Sequence, residues 1–137
     1  MFSTILVPVD LAHEAKLDKA LAAAAGIARA NNARIVYCGV TSPAPGAVAH
    51  NPTEYRQKLV AFATAQAERI GAVTDALALT SHDPTRDLDE TLLAAIKETS
   101  ADLVVMASHI PGVADHVFAS NAGWLASHAP VSVMVIR

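Results

Sequence analysis

Two apolar runs of the sequence end in polar residues of the kind that bind phosphorylated ligands in α/β proteins. The run TILVPV, residues 4–9, is followed by Asp10, and the run DLVVMAS, residues 102–108, ends in Ser108 and is followed by His109. A carboxylate such as Asp10 can accept hydrogen bonds from both hydroxyls of a ribose, or it can cap the helix that follows. Position alone leaves both roles open for Asp10.

The segment ASHIPGVADHVFASNA, residues 107–122, is the second candidate for chemistry. Gly112 permits a tight left-handed turn shortly before the expected start of a helix. Backbone N–H groups that converge at such a turn and helix start attract anions, so phosphate is the expected ligand. The pattern is weak alone, because neither GxGxxG nor GxxxxGK[ST] is present.

Other reactive side chains fit no known catalytic or metal-binding pattern. The histidines form no HExxH motif and no close pair with cysteine, which argues against a metal site. A hydrolase triad of Ser120, His109 and Asp115 can be drawn in one loop region, but no GxSxG-type elbow positions the serine. Cys38 lies inside the apolar run RIVYCGV and is expected to be a buried structural thiol.

Length, composition and charge predict one cytoplasmic domain over residues 1–137. The net charge is −3 and basic residues form no cluster, so nucleic acid is not an expected partner. The opening MFSTILVPVD has no Lys or Arg before its apolar run and reaches Pro8 and Asp10 within a few residues. It therefore resembles neither a signal peptide nor a membrane span, and no membrane association is expected.

The elements that must position these residues follow from the hydrophobic pattern. Five short runs are apolar almost throughout, at residues 4–9, 34–40, 75–80, 102–108 and 131–136. Continuous apolar character predicts strands buried on both faces and hence a parallel sheet. Helical stretches alternate with these runs, which predicts an α/β fold, a three-layer α/β/α sandwich with right-handed crossovers.

The helical stretches have different start and stop signals. The second has the clearest start, with Asn51 at the N-cap, Pro52 at the first helical position and Glu54 at the third. The third is expected to begin after Asp83, and the last to end at His128, whose ordinary role there is a C-terminal cap. The predicted stretches span residues 13–32, 51–73, 83–100 and about 116–128. The connection at 41–52 is long for a compact domain, which predicts either a lid or a poorly ordered loop.

Taken together, these features resemble the universal stress protein family. The resemblance rests on the opening ILVPVD, the strand ADLVVMASH, the long loop after strand two and the closing HAPVSVMVIR, so it covers essentially the whole chain. The loop sequence is similar to the family branch that reads A-S-H-x-P and then G-S-N-A. The resemblance implies a five-stranded parallel sheet in the order 3-2-1-4-5, the adenine nucleotide alpha hydrolase-like fold, and a homodimer through the last strand, Val131 to Arg137.

The resemblance also implies a nucleotide site between strands one and four. Pro8, Val9 and Val40 would line the adenine, and Asp10 would hold the ribose. The residues expected around the ribose and phosphates are Ala107, Ser108, His109, Gly112, Ala119, Ser120 and Asn121. The expected ligand is ATP or AMP, with Mg²⁺ as an accompanying ion.

The chain departs from the family pattern where phosphate should bind. Ala107 and Ala119 stand where the family has glycine, and Ile110 and Pro111 occupy the place of a second glycine, so backbone approach to phosphate is hindered. These differences, together with the absence of Lys and Arg between Lys97 and Arg137, predict a site that is weak or Mg²⁺-assisted and that favours AMP over ATP. The expected protein is a dimeric stress-response regulator that is not an enzyme beyond slow ATP hydrolysis. The alternatives are a nucleotide-free dimeric interaction protein and a nucleotide-processing hydrolase.

Overall fold

The computed structural model describes residues 1–107 and 121–137. Five parallel strands form one sheet in the order β3-β2-β1-β4-β5. The strands are β1 (Thr4–Pro8), β2 (Arg34–Thr41), β3 (Thr74–Thr80), β4 (Leu103–Ala107) and β5 (Ser132–Ile136). The expected strand positions and the strand order 3-2-1-4-5 are therefore confirmed.

Helices cover both faces of the sheet and complete the expected three layers. They are α1 (Asp18–Asn31), α2 (Pro52–Ile70), α3 (Leu88–Thr99) and α4 (Ala122–His128). α1 and α2 share a buried cluster with Ile5, Val7 and Ile35 of the sheet. α3 and α4 share a second cluster with Leu6 and Val104, whose side chains point to the opposite face because strand residues alternate.

Burial of the strands depends on their place in the sheet. β1 and β4 are buried at every position, as their continuous apolar sequences predict. β3 and β5 lie at the two edges of the sheet and are mostly half-buried. The expectation of burial on both faces is thus wrong for the edge strands, because each has a neighbouring strand on one side only.

The first helix begins later than the sequence pattern predicts. Residues Leu11–Lys16 form a 3₁₀ segment, and α1 begins at Asp18 instead of residue 13. His13 has non-helical dihedral angles, φ −134° and ψ 40°. The side chain of Asp10 contacts both Ala12 and His13, and such local side-chain hydrogen bonds compete with regular helix.

The third helix also begins later than expected, at Leu88. Asp83 Oδ1 accepts a hydrogen bond from the Arg86 N–H at 3.1 Å, so this aspartate stabilises a turn that precedes the helix. The Ser81 hydroxyl donates to Asp87 Oδ2 at 2.9 Å and adds a second bond to the same turn. The last helix was expected from about residue 116 and begins at Ala122, after the cap residue Asn121. The expected positions 116–120 lie outside the described residues.

The second helix has the predicted start. Asn51 Oδ1 accepts a hydrogen bond from the Glu54 N–H at 2.8 Å, and Pro52 is the first helical residue. The helix ends at Ile70, and its C-cap is Gly71, whose φ of 67° lies in the left-handed region that favours glycine. Within the two described ranges, no helix combines the length and apolar character that a membrane span requires.

Candidate functional site

A cavity of about 330 Å³ lies at the carboxyl ends of β1 and β2. Its walls come from the end of β1, the end of β2, the loop that follows β2, the first turn of α2 and the turn after β3. The lining residues that matter below are Val9, Asp10, Val40, Val48 and Tyr55. Ligands of open α/β sheets bind at the carboxyl ends of strands near the point where strand order reverses, here between β1 and β4.

Asp10 contributes the only charge among the described lining residues. Its Oδ1 accepts a hydrogen bond from the Ala12 N–H at 3.0 Å, and its Oδ2 lies 2.9 Å from His13 Nδ1. The side chain is 12% exposed. The capping role that the sequence left open is therefore present. Each carboxylate oxygen has more than one acceptor direction, so Asp10 retains capacity to accept ligand hydroxyls.

Two valines give the cavity apolar walls on neighbouring strands. Val9 follows β1 and is 1% exposed, and Val40 lies near the end of β2 and is partly buried. The Val9 N–H donates to the Cys38 carbonyl at 2.8 Å, which holds the end of β1 against β2. The space between such walls suits a flat apolar ring, while Asp10 next to Val9 supplies a polar contact.

The loop after β2, residues 42–50, is hydrogen-bonded to α2, and we call it the strap. Glu54 Oε2 lies 3.3 Å from the His50 N–H and 3.1 Å from His50 Nδ1. Lys58 Nζ donates to the Val48 carbonyl, and the Gly46 N–H donates to the Ala49 carbonyl at 2.9 Å. The pKa of Glu54 is lowered, mainly by its hydrogen bond with the His50 side chain. The strap is thus hydrogen-bonded along α2 where it lines the cavity.

Tyr55 is a lining residue that the sequence analysis missed. It lies in the first turn of α2 and is 5% exposed. A Cβ at Gly39 would stand 2.1 Å from the Tyr55 hydroxyl oxygen, so the ring of Tyr55 covers β2 where the strand has no side chain. Burial raises the pKa of Tyr55, and the charges of Cys38 and Asp10 add to this effect. A glycine inside a strand is a known signal of such a close approach.

The predicted site residues are only partly brought together by the described structure. Val9, Asp10 and Val40 line the cavity, whereas Pro8 and Ala107 are buried and are not among its lining residues. The methyl group of Ala107 instead belongs to the core cluster on the α1 and α2 side. Asn121 directly precedes α4. The predicted residues Ser108, His109, Gly112, Ala119 and Ser120 lie outside the described residues.

Other sequence expectations can be compared with the structure. Cys38 is fully buried and burial raises its pKa to about 12, as expected for a structural thiol. His128 Nδ1 lies 2.8 Å from the Trp124 carbonyl in the last turn of α4, which matches the expected C-terminal cap. Considering only residues 1–107 and 121–137, no three His, Cys, Asp or Glu side chains are grouped closely enough to hold a metal ion.

The sheet order and the helices on both faces define the adenine nucleotide alpha hydrolase-like fold. The chain belongs to the universal stress protein family, whose model matches residues 1–137. The family expectation drawn from the sequence motifs is thereby confirmed.

Solved structures of the family share this fold. The universal stress protein from Archaeoglobus fulgidus has a TM-score of 0.72 and 18% identity, with 100% of both chains covered. A universal stress protein in complex with cAMP has a TM-score of 0.70 and 19% identity, covering 99% of this chain and 97% of that chain. A family protein from Arabidopsis thaliana with AMP bound has a TM-score of 0.64 and 18% identity, covering 98% and 90% respectively.

Proposed function

We propose that this protein binds an adenine nucleotide, AMP or ATP, in the cavity at the ends of β1 and β2. The observation that carries the proposal is the Asp10 carboxylate, held in place beside two apolar strand ends in a space of about 330 Å³. Two similar structures contain cAMP and AMP, which share the adenine base, the sugar and one phosphate.

The strand order suggests how the nucleotide would lie. The base would sit between Val9 and Val40, and the ribose hydroxyls would donate to Asp10. The phosphates would extend past β4, towards the residues that follow it. The further contacts in this proposal are Pro8, Ala107, Ser108, His109, Gly112, Ala119, Ser120 and Asn121. Mg²⁺ would be held by phosphate oxygens and water, since Mg²⁺ usually keeps several waters in its coordination shell.

The proposed role is regulation of a stress response by a cytoplasmic protein with one domain, residues 1–137. Fast catalysis is not part of the proposal. Asp10 is the only carboxylate among the described lining residues, and the proposed pose uses its remaining acceptor directions for the ribose hydroxyls. A general base needs a free acceptor within hydrogen-bond reach of the attacking water. ATP hydrolysis, if measured, would therefore be slow.

Calorimetry with AMP and with ATP, each with and without Mg²⁺, tests the proposal. The informative variant is Asp10→Asn, because asparagine keeps an oxygen for the Ala12 N–H and loses the charged acceptor that the ribose needs. Loss of a charge-assisted hydrogen bond costs about 1.5–3 kcal/mol, so affinity should fall roughly ten- to hundredfold. The control is Asp75→Asn, which removes an exposed carboxylate paired with Arg34 at 2.9 Å, away from the cavity. Equal binding by wild type and Asp10→Asn would reject the proposed site.

A homodimer through β5 is the second part of the proposal. β5 lies at one edge of the sheet, and its Met134 is 38% exposed. An apolar edge strand is prone to unwanted pairing unless another chain covers it. Sedimentation equilibrium should give a dimer that Met134→Lys weakens. Val73→Lys serves as the control, because Val73 is 68% exposed and precedes β3 at the opposite edge. A monomeric wild type at micromolar concentration would contradict this part.

A nucleotide-free interaction protein is the second candidate function. It is favoured by Ala107, whose methyl group is packed in the core at a position where the family has glycine. Wild-type protein that forms the dimer but binds neither AMP nor ATP in calorimetry would support this alternative.

A further inference from the structure

The Tyr55 side chain has an unusual position in the cavity wall. Its ring is buried against the backbone of Gly39, and the residue lines the same cavity as Asp10. Its hydroxyl oxygen is the atom that approaches a Cβ position at Gly39 most closely. A tyrosine hydroxyl in a cavity wall can donate a hydrogen bond to a ligand or accept one from it.

The chain contains a second buried tyrosine, Tyr37, which serves as a control for the effect of burial alone. Tyr37 also lies on the α1 and α2 side of β2, and its ring packs edge-on against Phe62 with centroids 5.2 Å apart. Its hydroxyl is buried without a described partner, but Tyr37 does not line the cavity. Of the two tyrosines, only Tyr55 is among the described residues that line that space.

The strand order indicates which part of a nucleotide would reach Tyr55. In the proposed pose the phosphates lie beyond β4 and the sugar lies at Asp10 after β1. The base then lies furthest along the sheet, over β2, where Val40 and Gly39 are located. Tyr55 covers Gly39 from the α2 side. A tyrosine hydroxyl can donate to a ring nitrogen or accept from an exocyclic amine, and adenine carries both.

We propose that Tyr55 is a ligand-contacting residue whose hydroxyl hydrogen-bonds the adenine base of the bound nucleotide. The inference rests on the proposed function and adds a contact from α2 to it. The contact would fix the depth of the base in the cavity, because the ring of Tyr55 is held against the β2 backbone and cannot move inwards.

Calorimetric titration of Tyr55→Phe with AMP tests the contact. Phenylalanine keeps the ring and removes only the hydroxyl, so affinity should fall roughly two- to tenfold, the effect of one neutral hydrogen bond. Tyr37→Phe is the matched control and should bind AMP as wild type does. Urea unfolding of both variants verifies that each keeps a cooperative fold. Adenosine and 2′-deoxy-AMP are titrated as well, and the loss caused by Tyr55→Phe should be the same for all three ligands.

The outcomes are distinct. If wild type binds AMP and Tyr55→Phe binds it equally well, the contact is refuted and the proposed function stands. If the loss disappears with adenosine or with 2′-deoxy-AMP, the hydroxyl contacts the phosphate or the sugar, and the base contact is refuted. If wild type binds none of the three ligands, the proposed function and this inference both fail.

Discussion

Substitution of Gly39 by alanine offers a sharp test of the packing that shapes the cavity. A Cβ at this position would stand 2.1 Å from the Tyr55 hydroxyl oxygen and 2.9 Å from the nearest ring carbon, whereas ordinary contact is 3.4–4 Å. Tyr55 would therefore have to retreat by roughly an ångström, in the first turn of a helix that packs on β2 and β3. Packing therefore predicts that Gly39→Ala lowers the free energy of unfolding, whereas backbone propensity predicts that it raises this free energy.

Propensity alone favours the substitution, because glycine in a strand costs about 0.5–1 kcal/mol relative to alanine. Overpacking of a dense interior costs about 1–3 kcal/mol, so the contact should dominate and Gly39→Ala should destabilise the protein. The double variant Gly39→Ala, Tyr55→Phe removes the atom at 2.1 Å but leaves the ring carbons at 2.9 and 3.0 Å. Relief should thus be partial, with a coupling free energy of at least about 0.5 kcal/mol.

Urea unfolding of wild type, the two single variants and the double variant measures this cycle. The expected order of stability places the double variant above Gly39→Ala. A stabilised Gly39→Ala, or single effects that simply add, would refute the packing of Tyr55 over β2. Titration of Gly39→Ala with AMP should also show weaker binding, since a displaced Tyr55 changes the cavity wall.

Three further predictions concern other parts of the fold. The Cys38 thiol should not react with a thiol reagent in native buffer, because it is buried and burial raises its pKa to about 12. It should react fully in denaturant. Rapid labelling of the native protein would be inconsistent with its burial. Glu54→Gln should lower the urea midpoint at pH 7, and the difference from wild type should shrink as the solution is acidified. Because the pKa of Glu54 is lowered in the folded protein, its carboxylate stabilises the fold fully above the unfolded-state pKa of about 4.3. This stabilisation is lost as the pH falls through the folded-state pKa. A difference in urea midpoint that persists in acid would argue against the bond between Glu54 and His50. Leu59→Ala, at a fully buried position of α2, should lower the free energy of unfolding by about 2–5 kcal/mol. Val60→Ala, at the next position, which is 44% exposed, should lower it by less than about 1 kcal/mol. Similar losses for the two variants would contradict the orientation of α2.

The sheet was predictable because its strands have a simple physical signature. β1 and β4 are buried at every position, and their sequences are apolar apart from Thr4, a short pattern that is typical of a parallel strand buried on both faces. The start of α2 was equally clear, because Asn51 and Pro52 have one common role at a helix N-terminus. Strand order came from the family resemblance, since alternation of strands and helices does not determine it.

Helix starts near aspartate were predicted less well. Asp10 and Asp83 each make a hydrogen bond to a backbone N–H two or three residues later, which is the same local bond that an N-cap makes. One precedes a 3₁₀ segment and the other a turn, and α1 and α3 begin later. Because aspartate stabilises turns, 3₁₀ segments and helix starts alike, its presence in the sequence does not indicate which of the three follows.

The cavity was predictable at the strand ends and not beyond them. Asp10 was identified because ligands bind where parallel strands end, whereas Val9 and Val40 were identified from the family resemblance. Tyr55 belongs to a helix, and its role depends on how α2 packs across β2, a tertiary contact that local pattern does not specify. Gly39, in the middle of an apolar strand, was the available signal for that contact.

The most direct test of the central claim is a crystal structure of the protein grown with a saturating concentration of AMP. We expect the adenine between Val9 and Val40, the ribose hydroxyls within hydrogen-bond distance of Asp10, and the Tyr55 hydroxyl in a hydrogen bond with the base. Nucleotide bound elsewhere, or a cavity without nucleotide at that concentration, would contradict it.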